Sequence, residues 1–279
     1  MTKNRVAVLQ MQSIPNVDAN LAQLSELAHS AKAAGAATII VPEAFSFIGP
    51  DKEKQAIVEP VPGDGPILKF CRTLATTLNV HMVYGGFHET NPNSSCSYNT
   101  CLHIDPQGQI KASYRKIHLF DVELSNGFKL FESHSTTPGD EVVTTEMPFG
   151  VLGLSICYDL RFPYLYQALV NQGAIALAIP SAFTDTTGAA HWHVLMRARA
   201  IECQSYVLAA AQWGHHHGRR TSFGHAMIVS PWGEILDEVA TSTGFAIAEI
   251  DLDALKQIRK QLPSLEHRIA LDVESNLNP

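Results

Sequence analysis

Apolar residues in this chain fall into short unbroken runs, separated by stretches of helical period. The runs are Val6–Met11, Thr38–Val41, His81–Phe87, Tyr98–Ile104, Val151–Ile156, Ala174–Ile179, Tyr206–Gln212, Phe223–Val229 and Phe245–Ile250. They are rich in Val, Ile, Ala and aromatic residues and bounded by turn residues, which predicts strands buried on both faces. Asp105-Pro-Gln-Gly108 turns one of them back on Ile110–Tyr114, and Ser230-Pro-Trp-Gly233 repeats that turn later.

The helical stretches are Val17–Ala34 before Gly35, Pro66–Leu78, 163–172 before Gly173, Ala189–Gln204 and Leu252–Gln261. Pro66 and Pro163 suit first helical turns, where the missing N–H goes unnoticed, and the glycines suit helix stops. Ile67, Leu68, Phe70, Leu74 and Leu78 line one face of the second helix. Periodicity alone implies an α/β protein with a large sheet. The helix–strand alternation in both halves, with hairpins inside each, argues for two sheets packed face to face and helices outside. No linker or low-complexity stretch interrupts the pattern, so residues 1–279 are expected to form a single domain.

Composition narrows the function classes. The 279 residues are 46% hydrophobic, enough for a sizeable core, and the formal net charge is −7. No basic patch marks a nucleic-acid surface and no polybasic run marks a membrane. No apolar run approaches membrane-spanning length, and the N-terminus leads directly into a strand without a signal-type apolar region. Five irregularly spaced cysteines do not suggest a disulfide framework. Cys71 and Cys203 fall in helical patterns and read as core. A reducing, cytoplasmic setting is expected.

The chemistry concentrates at three predicted strand ends. Cys157 ends the run Val151–Ile156 and heads the turn Tyr158-Asp-Leu-Arg-Phe-Pro163. Glu43 follows Ala37-Thr-Ile-Ile-Val-Pro42, and Lys116 follows Tyr114-Arg115. Open α/β architectures gather functional groups at strand ends, and charges this close to core strands are costly unless paired or used. A thiol, a carboxylate and an ammonium supply a nucleophile, a base and a cation. Each alone reads as readily as a buried thiol or a surface charge. Together they define a candidate site.

Pro42-Glu43, Tyr114-Arg-Lys-Ile-His-Leu119 and Cys157-Tyr-Asp-Leu-Arg-Phe-Pro163 resemble the Glu–Lys–Cys motifs of the nitrilase superfamily, the carbon–nitrogen hydrolases. The resemblance runs from Val6 to about His267. Within that superfamily, four stretches are most similar to the deaminated glutathione amidases: His118–Glu123, Pro180–Phe183, His191–Glu202 and Ala209–Gln212. The resemblance implies a four-layer α-β-β-α sandwich, a homodimer or higher homo-oligomer, no cofactor, and hydrolysis of a small 2-oxo-acid amide through a cysteine thioester. Glu43 would be the base, Lys116 the oxyanion cation and Cys157 the nucleophile. The Tyr158 N–H would be a second oxyanion donor, and Glu132 would hold the lysine and help position the substrate. Asp159 and Arg161 are expected to brace the turn.

Phe183, Trp192, Arg219 and Arg220 are candidates for substrate contact, the arginines through bidentate binding of carboxylates. Trp192 reads equally as core, and the arginines equally as a solvated pair. The start of the helix near His191-Trp-His193 could favour a bound anion. The loops 44–60, 123–137 and 183–190 are expected to shape the pocket. No metal is expected: alternating side chains make His215-His216-His217 a poor chelator of one ion. The resemblance leaves three enzyme readings open, namely deaminated glutathione amidase, ω-amidase acting on α-ketoglutaramate, and nitrilase. A catalytically silent dimeric scaffold is the non-enzyme alternative.

Overall fold

The computed structural model describes residues 4–123, 127 and 129–269. In chain order the first half contains β1 (Arg5–Met11), α1 (Val17–Ala33), β2 (Thr38–Val41), α2 (Asp51–Lys54), α3 (Pro66–Leu78), β3 (His81–Glu89), β4 (Tyr98–Ile104) and β5 (Ile110–Arg115). A short hairpin, β6 (Asp121–Glu123) and β7 (Lys129–Phe131), precedes β8 (Thr144–Met147) and β9 (Gly150–Leu154). Then come α4 (Pro163–Asn171), β10 (Ala176–Ala178), α5 (Asp185–Cys203), β11 (Tyr206–Ala209), β12 (Ala211–His217), β13 (Arg220–Phe223), β14 (Ala226–Val229), β15 (Ile235–Val239), β16 (Gly244–Glu249) and α6 (Leu252–Gln261).

Two sheets carry the fold. One runs β13-β12-β1-β2-β3-β4-β5 with β16 also paired to β1, and the other runs β15-β14-β11-β10-β9-β8. β1, β2 and β3 are parallel neighbours, as are β9, β10 and β11. Alternation assigns the first sheet's faces. Ala7, Leu9, Ile39, Val41, Met82 and Tyr84 join Leu24, Leu68 and Leu74 in a core beneath α1 and α3. Val6, Val8, Ile40 and Val83 instead join Leu152, Leu154, Ala176 and Leu208 of the second sheet. Trp192, Met196 and Leu169, from α5 and α4, close the far side of that second core. The result is the expected α-β-β-α sandwich.

Two expected strands are each divided. Tyr206–Gln212 is one apolar run, yet β11 lies in the second sheet and β12 in the first, with the crossing at Ala210. Phe223–Val229 crosses back at Gly224 and His225, whose φ angles of 80° and 61° turn the corner. Apolar burial continues through the first crossing at Ala209–Ala211, so hydropathy does not mark it, whereas the second passes the half-buried Phe223 and His225. β6, β7, β8 and β15 were also not anticipated; they are short, and three of them mix exposed polar with apolar positions. α5 begins four residues earlier than expected, because the Thr184 side chain caps it. His191–His193 therefore lie inside the helix, and the expected anion site at its start is not there. Of the expected pocket loop 123–137, residues 124–126 and 128 lie outside the described residues.

Candidate active site

Each site residue stands just beyond a strand. Glu43 comes two residues after β2, Lys116 directly after β5, and Cys157 three residues after β9. Their positions follow from backbone geometry. Ala44, next to Glu43, has φ 55°, which folds the chain sharply at the end of β2. Gly86 must be glycine here: its φ is 63°, and a Cβ would collide with Ala44 N and Glu43 Cγ. Cys157 itself sits at φ 50°, an uncommon conformation for a residue with a Cβ, and its N–H donates to Pro180 O at 3.0 Å. Strain of this kind persists only when the surroundings over-determine it.

Those surroundings are identifiable. Asp159, fully buried, accepts from Ile156 N (2.9 Å), Tyr114 Oη (2.6 Å) and His118 N (3.0 Å), and pairs with His118 Nδ1 at 2.7 Å. His118 Nε2 meets Tyr164 Oη at 2.7 Å, and its ring stacks on Phe162 at 3.7 Å. The Cys157 turn is thus tied to β5 and to the start of α4. Asp159 braces the turn as expected, but Arg161 is not its partner. Arg161 lies over the rings of Tyr158 and Phe183 and near His191.

The charges form a closed network. Lys116 Nζ donates to Glu43 Oε1 (2.9 Å) and to Glu132 Oε2 (2.8 Å). Asn99 Nδ2 donates to Glu43 Oε1 (2.9 Å) and Glu132 Oε1 (3.0 Å), which also fixes the orientation of its amide. Ala182 N–H donates to Glu43 Oε2 at 2.9 Å, and Phe120 N–H donates to Glu132 Oε2 at 2.8 Å. Gln212 Nε2 holds the backbone oxygen of Glu43 at 3.0 Å. Burial opposes the charge on Lys116, but Glu132 and Glu43 outweigh it and hold the ammonium well above its ordinary range. Burial likewise opposes the Glu132 carboxylate, and Lys116 reverses the sign and lowers its pKa. Burial, then Glu43, push the Cys157 thiol well above its ordinary value, with Lys116 pulling the other way. The resting sulfur is therefore a thiol, and attack requires a base.

Glu43, Lys116, Glu132, Asn99 and Cys157 all line one cavity of about 490 Å³, within the range of small-molecule sites. Its wall includes Phe47, Phe131, Lys54, His88, His217 and Arg220. Lys54 Nζ reaches Ser135 Oγ (2.9 Å) and Thr136 Oγ1 (3.4 Å), and burial lowers its pKa. Burial and the nearby Lys54 depress His88 to about 3, so that imidazole is neutral at physiological pH. A much smaller cavity adjoins Cys157 and is lined by Phe120, Arg161, Phe183 and Thr187.

The substrate-contact candidates separate. Arg220, the first residue of β13, lines the cavity, whereas its neighbour Arg219 lies in the turn between β12 and β13, is exposed and does not. Trp192 is fully buried, donates from Nε1 to His225 O at 2.8 Å, and packs edge-on against Phe183. It is core, not a substrate contact. Phe183 borders only the small cavity. The histidine run divides as alternation requires: His216 is buried against Ser13 O and Ser222 Oγ, while His217 faces the cavity.

Asn99 and Lys54 were missed by the sequence reading. An asparagine inside the core strand Tyr98–Ile104 was the available signal for the first, since a buried amide is costly unless bonded. Lys54 sits in the charged stretch Asp51-Lys-Glu-Lys54 and carries no such signal.

Residues 5–260 match the carbon–nitrogen hydrolase family. The chain belongs to that family, and its enzyme class is amidase, of the nitrilase superfamily, with a cysteine nucleophile. It is similar to the deaminated glutathione amidase of Synechocystis sp., at 46% identity over 94% of this chain and 97% of that protein. It also resembles the Caenorhabditis elegans NitFhit protein, with 38% identity and a TM-score of 0.89 over 96% of this chain and 66% of that one. A Glu-to-Gln variant of the amidase from Nesterenkonia sp. AN1 is 25% identical, with a TM-score of 0.77 over 93% of this chain and 98% of that one. In that structure acrylamide has added to the active-site cysteine by Michael addition.

Proposed function

We propose that this amidase hydrolyses deaminated glutathione to α-ketoglutarate and cysteinylglycine, using Cys157 as nucleophile, Glu43 as base and Lys116 as oxyanion cation. The supporting observation is the convergence of these three side chains on one cavity whose wall carries Lys54 and Arg220. In the first half-reaction Glu43 takes the thiol proton and sulfur attacks the amide carbon. The third Lys116 proton and the Tyr158 N–H stabilise the resulting oxyanion. The C–N bond breaks, Glu43 passes the proton to the departing amine of cysteinylglycine, and an acyl thioester remains. In the second half-reaction Glu43 takes a proton from water, hydroxide attacks the thioester, and the sulfur recovers its proton. Glu132 and Asn99 hold Lys116 and Glu43 in register throughout.

Lys54 and Arg220 are the groups that would bind the substrate's carboxylates. The protein's net charge of −7 repels an anion, so local cations must do the binding. Turnover of deaminated glutathione and of α-ketoglutaramate, compared as kcat/KM by α-ketoglutarate release, tests the assignment. A higher value for deaminated glutathione is expected. A higher value for α-ketoglutaramate would make the enzyme an ω-amidase, and turnover of neither would remove both readings.

The same reading treats residues 1–279 as one catalytic domain, working as a homodimer in a reducing cytoplasm. Exposed Tyr164 of α4, Val194 of α5 and Trp232 of the β14–β15 turn support association, and five free thiols support the compartment. Light scattering should give the mass of two chains; the mass of one would contradict the dimer.

A further inference from the structure

A second cluster lies outside the catalytic cavity. It joins His193 of α5, His225 at the corner between β13 and β14, and Glu238 of β15. Glu238 Oε1 is 3.0 Å from His193 Nε2 and 2.5 Å from His225 Nδ1, and the three ligand atoms lie within 4.8 Å of one another. None of the three lines the cavity that holds Cys157. We propose that His193, His225 and Glu238 form a binding site for a transition-metal ion of the zinc class, separate from the catalytic machinery.

The donor set is the first reason. Two imidazoles and one carboxylate suit zinc and its neighbours, whereas magnesium and calcium prefer all-oxygen shells. Spacing is the second. With metal–ligand bonds of about 2.0–2.1 Å, adjacent ligands of a tetrahedral site lie roughly 3.3 Å apart. The two nitrogen–oxygen separations here fall short of that by less than an ångström, so small side-chain rotations open the site.

Preorganisation is the third. The His225 ring stacks on Phe223 at 4.2 Å, and His193 meets His225 edge-on at 4.9 Å. The His225 backbone is held at φ 61°, and its carbonyl accepts from Trp192 Nε1. A histidine kept in this conformation by its surroundings is the kind of outlier that marks a functional position. Access is the fourth. The three side chains are 20–36% exposed, which lets an ion enter and leaves water to complete the shell.

The contrasting explanation is a hydrogen-bonded trio in which both imidazoles simply donate to one carboxylate oxygen. Co²⁺ titration of the EDTA-treated protein, read by the visible absorption of four-coordinate cobalt, separates the two, with Zn²⁺ as competitor. One ion per chain is expected, with Zn²⁺ abolishing the band. Glu238→Gln and His193→Gln should each weaken binding by about a hundredfold or more, since even groups behind the ligands are worth ten- to a hundredfold. His215→Ala should bind as the parent does. Amidase activity of His193→Gln should be unchanged, so failure of this proposal stays distinct from failure of the catalytic one. His193 sits on the outer helix, so its variant keeps the test usable if Glu238→Gln does not fold. No cobalt band in the parent, or equal binding by the parent and His193→Gln, would overturn the site. Lost binding in His215→Ala would transfer it to the histidine run.

Discussion

The floor and the wall of the catalytic cavity use charge in opposite ways. On the floor, Lys116 is 2% exposed and is bonded to both Glu43 and Glu132, and Asn99 ties the two carboxylates together. On the wall, Lys54 bonds to hydroxyls, and among the described residues neither Lys54 nor Arg220 has a carboxylate within ion-pair distance. Internally paired charges are fixed in place, which suits chemistry that must meet a short-lived oxyanion without reorganising. Unpaired cations on a cavity wall have their bonding capacity left for a ligand. Under the proposed mechanism the difference separates reaction from specificity within one pocket.

The largest expected effect is on the floor. Cys157→Ala should lower kcat by more than about four orders of magnitude with the circular dichroism spectrum unchanged. Comparable turnover by that variant would place the nucleophile elsewhere. Lys116→Met should abolish activity and also destabilise the protein by about 3–5 kcal/mol in urea denaturation, because two buried carboxylates lose their shared cation. A variant as stable as the parent would contradict the tightly paired floor.

Wall substitutions should act on KM instead. Arg220→Ala should raise KM for deaminated glutathione on the order of ten- to a hundredfold, the worth of about 1.5–3 kcal/mol for a charge-assisted contact, with kcat little changed. α-Ketoglutaramate lacks the glycine carboxylate and should be affected less. Arg219→Ala should leave both substrates within about twofold, because that residue is exposed in the turn and does not line the cavity. Equal effects from the two arginines would erase the distinction drawn here.

A further contrast is between paired charges and the buried neutral histidines. Burial, the largest cause in each case, depresses His88 to about 3, His103 to about 4 and His216 to about 4, from 6.5. As pH falls below about 6.5 the unfolded chain takes up these protons and the folded chain does not, so stability declines toward pH 4. The urea denaturation free energy should fall by about 2.5 kcal/mol for each of these rings between pH 7 and 4.5, on the order of 7 kcal/mol for the three together. An unchanged midpoint would mean that these rings are protonated in the fold.

Of the proposed catalytic floor, all but Asn99 was legible in the sequence, and its three principal residues break strong local patterns. Glu43, Lys116 and Cys157 each end an apolar strand, where a polar group must be paired or used. The wall was less legible. Lys54 looks like any lysine in a charged stretch, and Arg219 and Arg220 are indistinguishable until the hairpin puts Arg219 in its turn and Arg220 at the start of β13. Trp192 could be core or wall until its indole N–H found the His225 carbonyl. The sheet crossing at Ala210 was hidden because burial continues through it, and that at Gly224 because a single glycine within an otherwise apolar run was read as part of the strand. The His193–His225–Glu238 cluster draws on three separate elements and has no sequence spacing to betray it.

The most direct test of the catalytic floor uses Glu43→Gln, which keeps the shape of the side chain and removes its basicity. Deaminated glutathione is mixed with the variant, quenched at short intervals, and the intact protein mass is measured against the parent protein and Cys157→Ala. If Glu43 serves both half-reactions, the variant forms neither cysteinylglycine nor an acyl adduct, and any adduct on the parent is absent from Cys157→Ala. A variant that releases one equivalent of cysteinylglycine and then stalls as a stable thioester would show that another group takes the first proton.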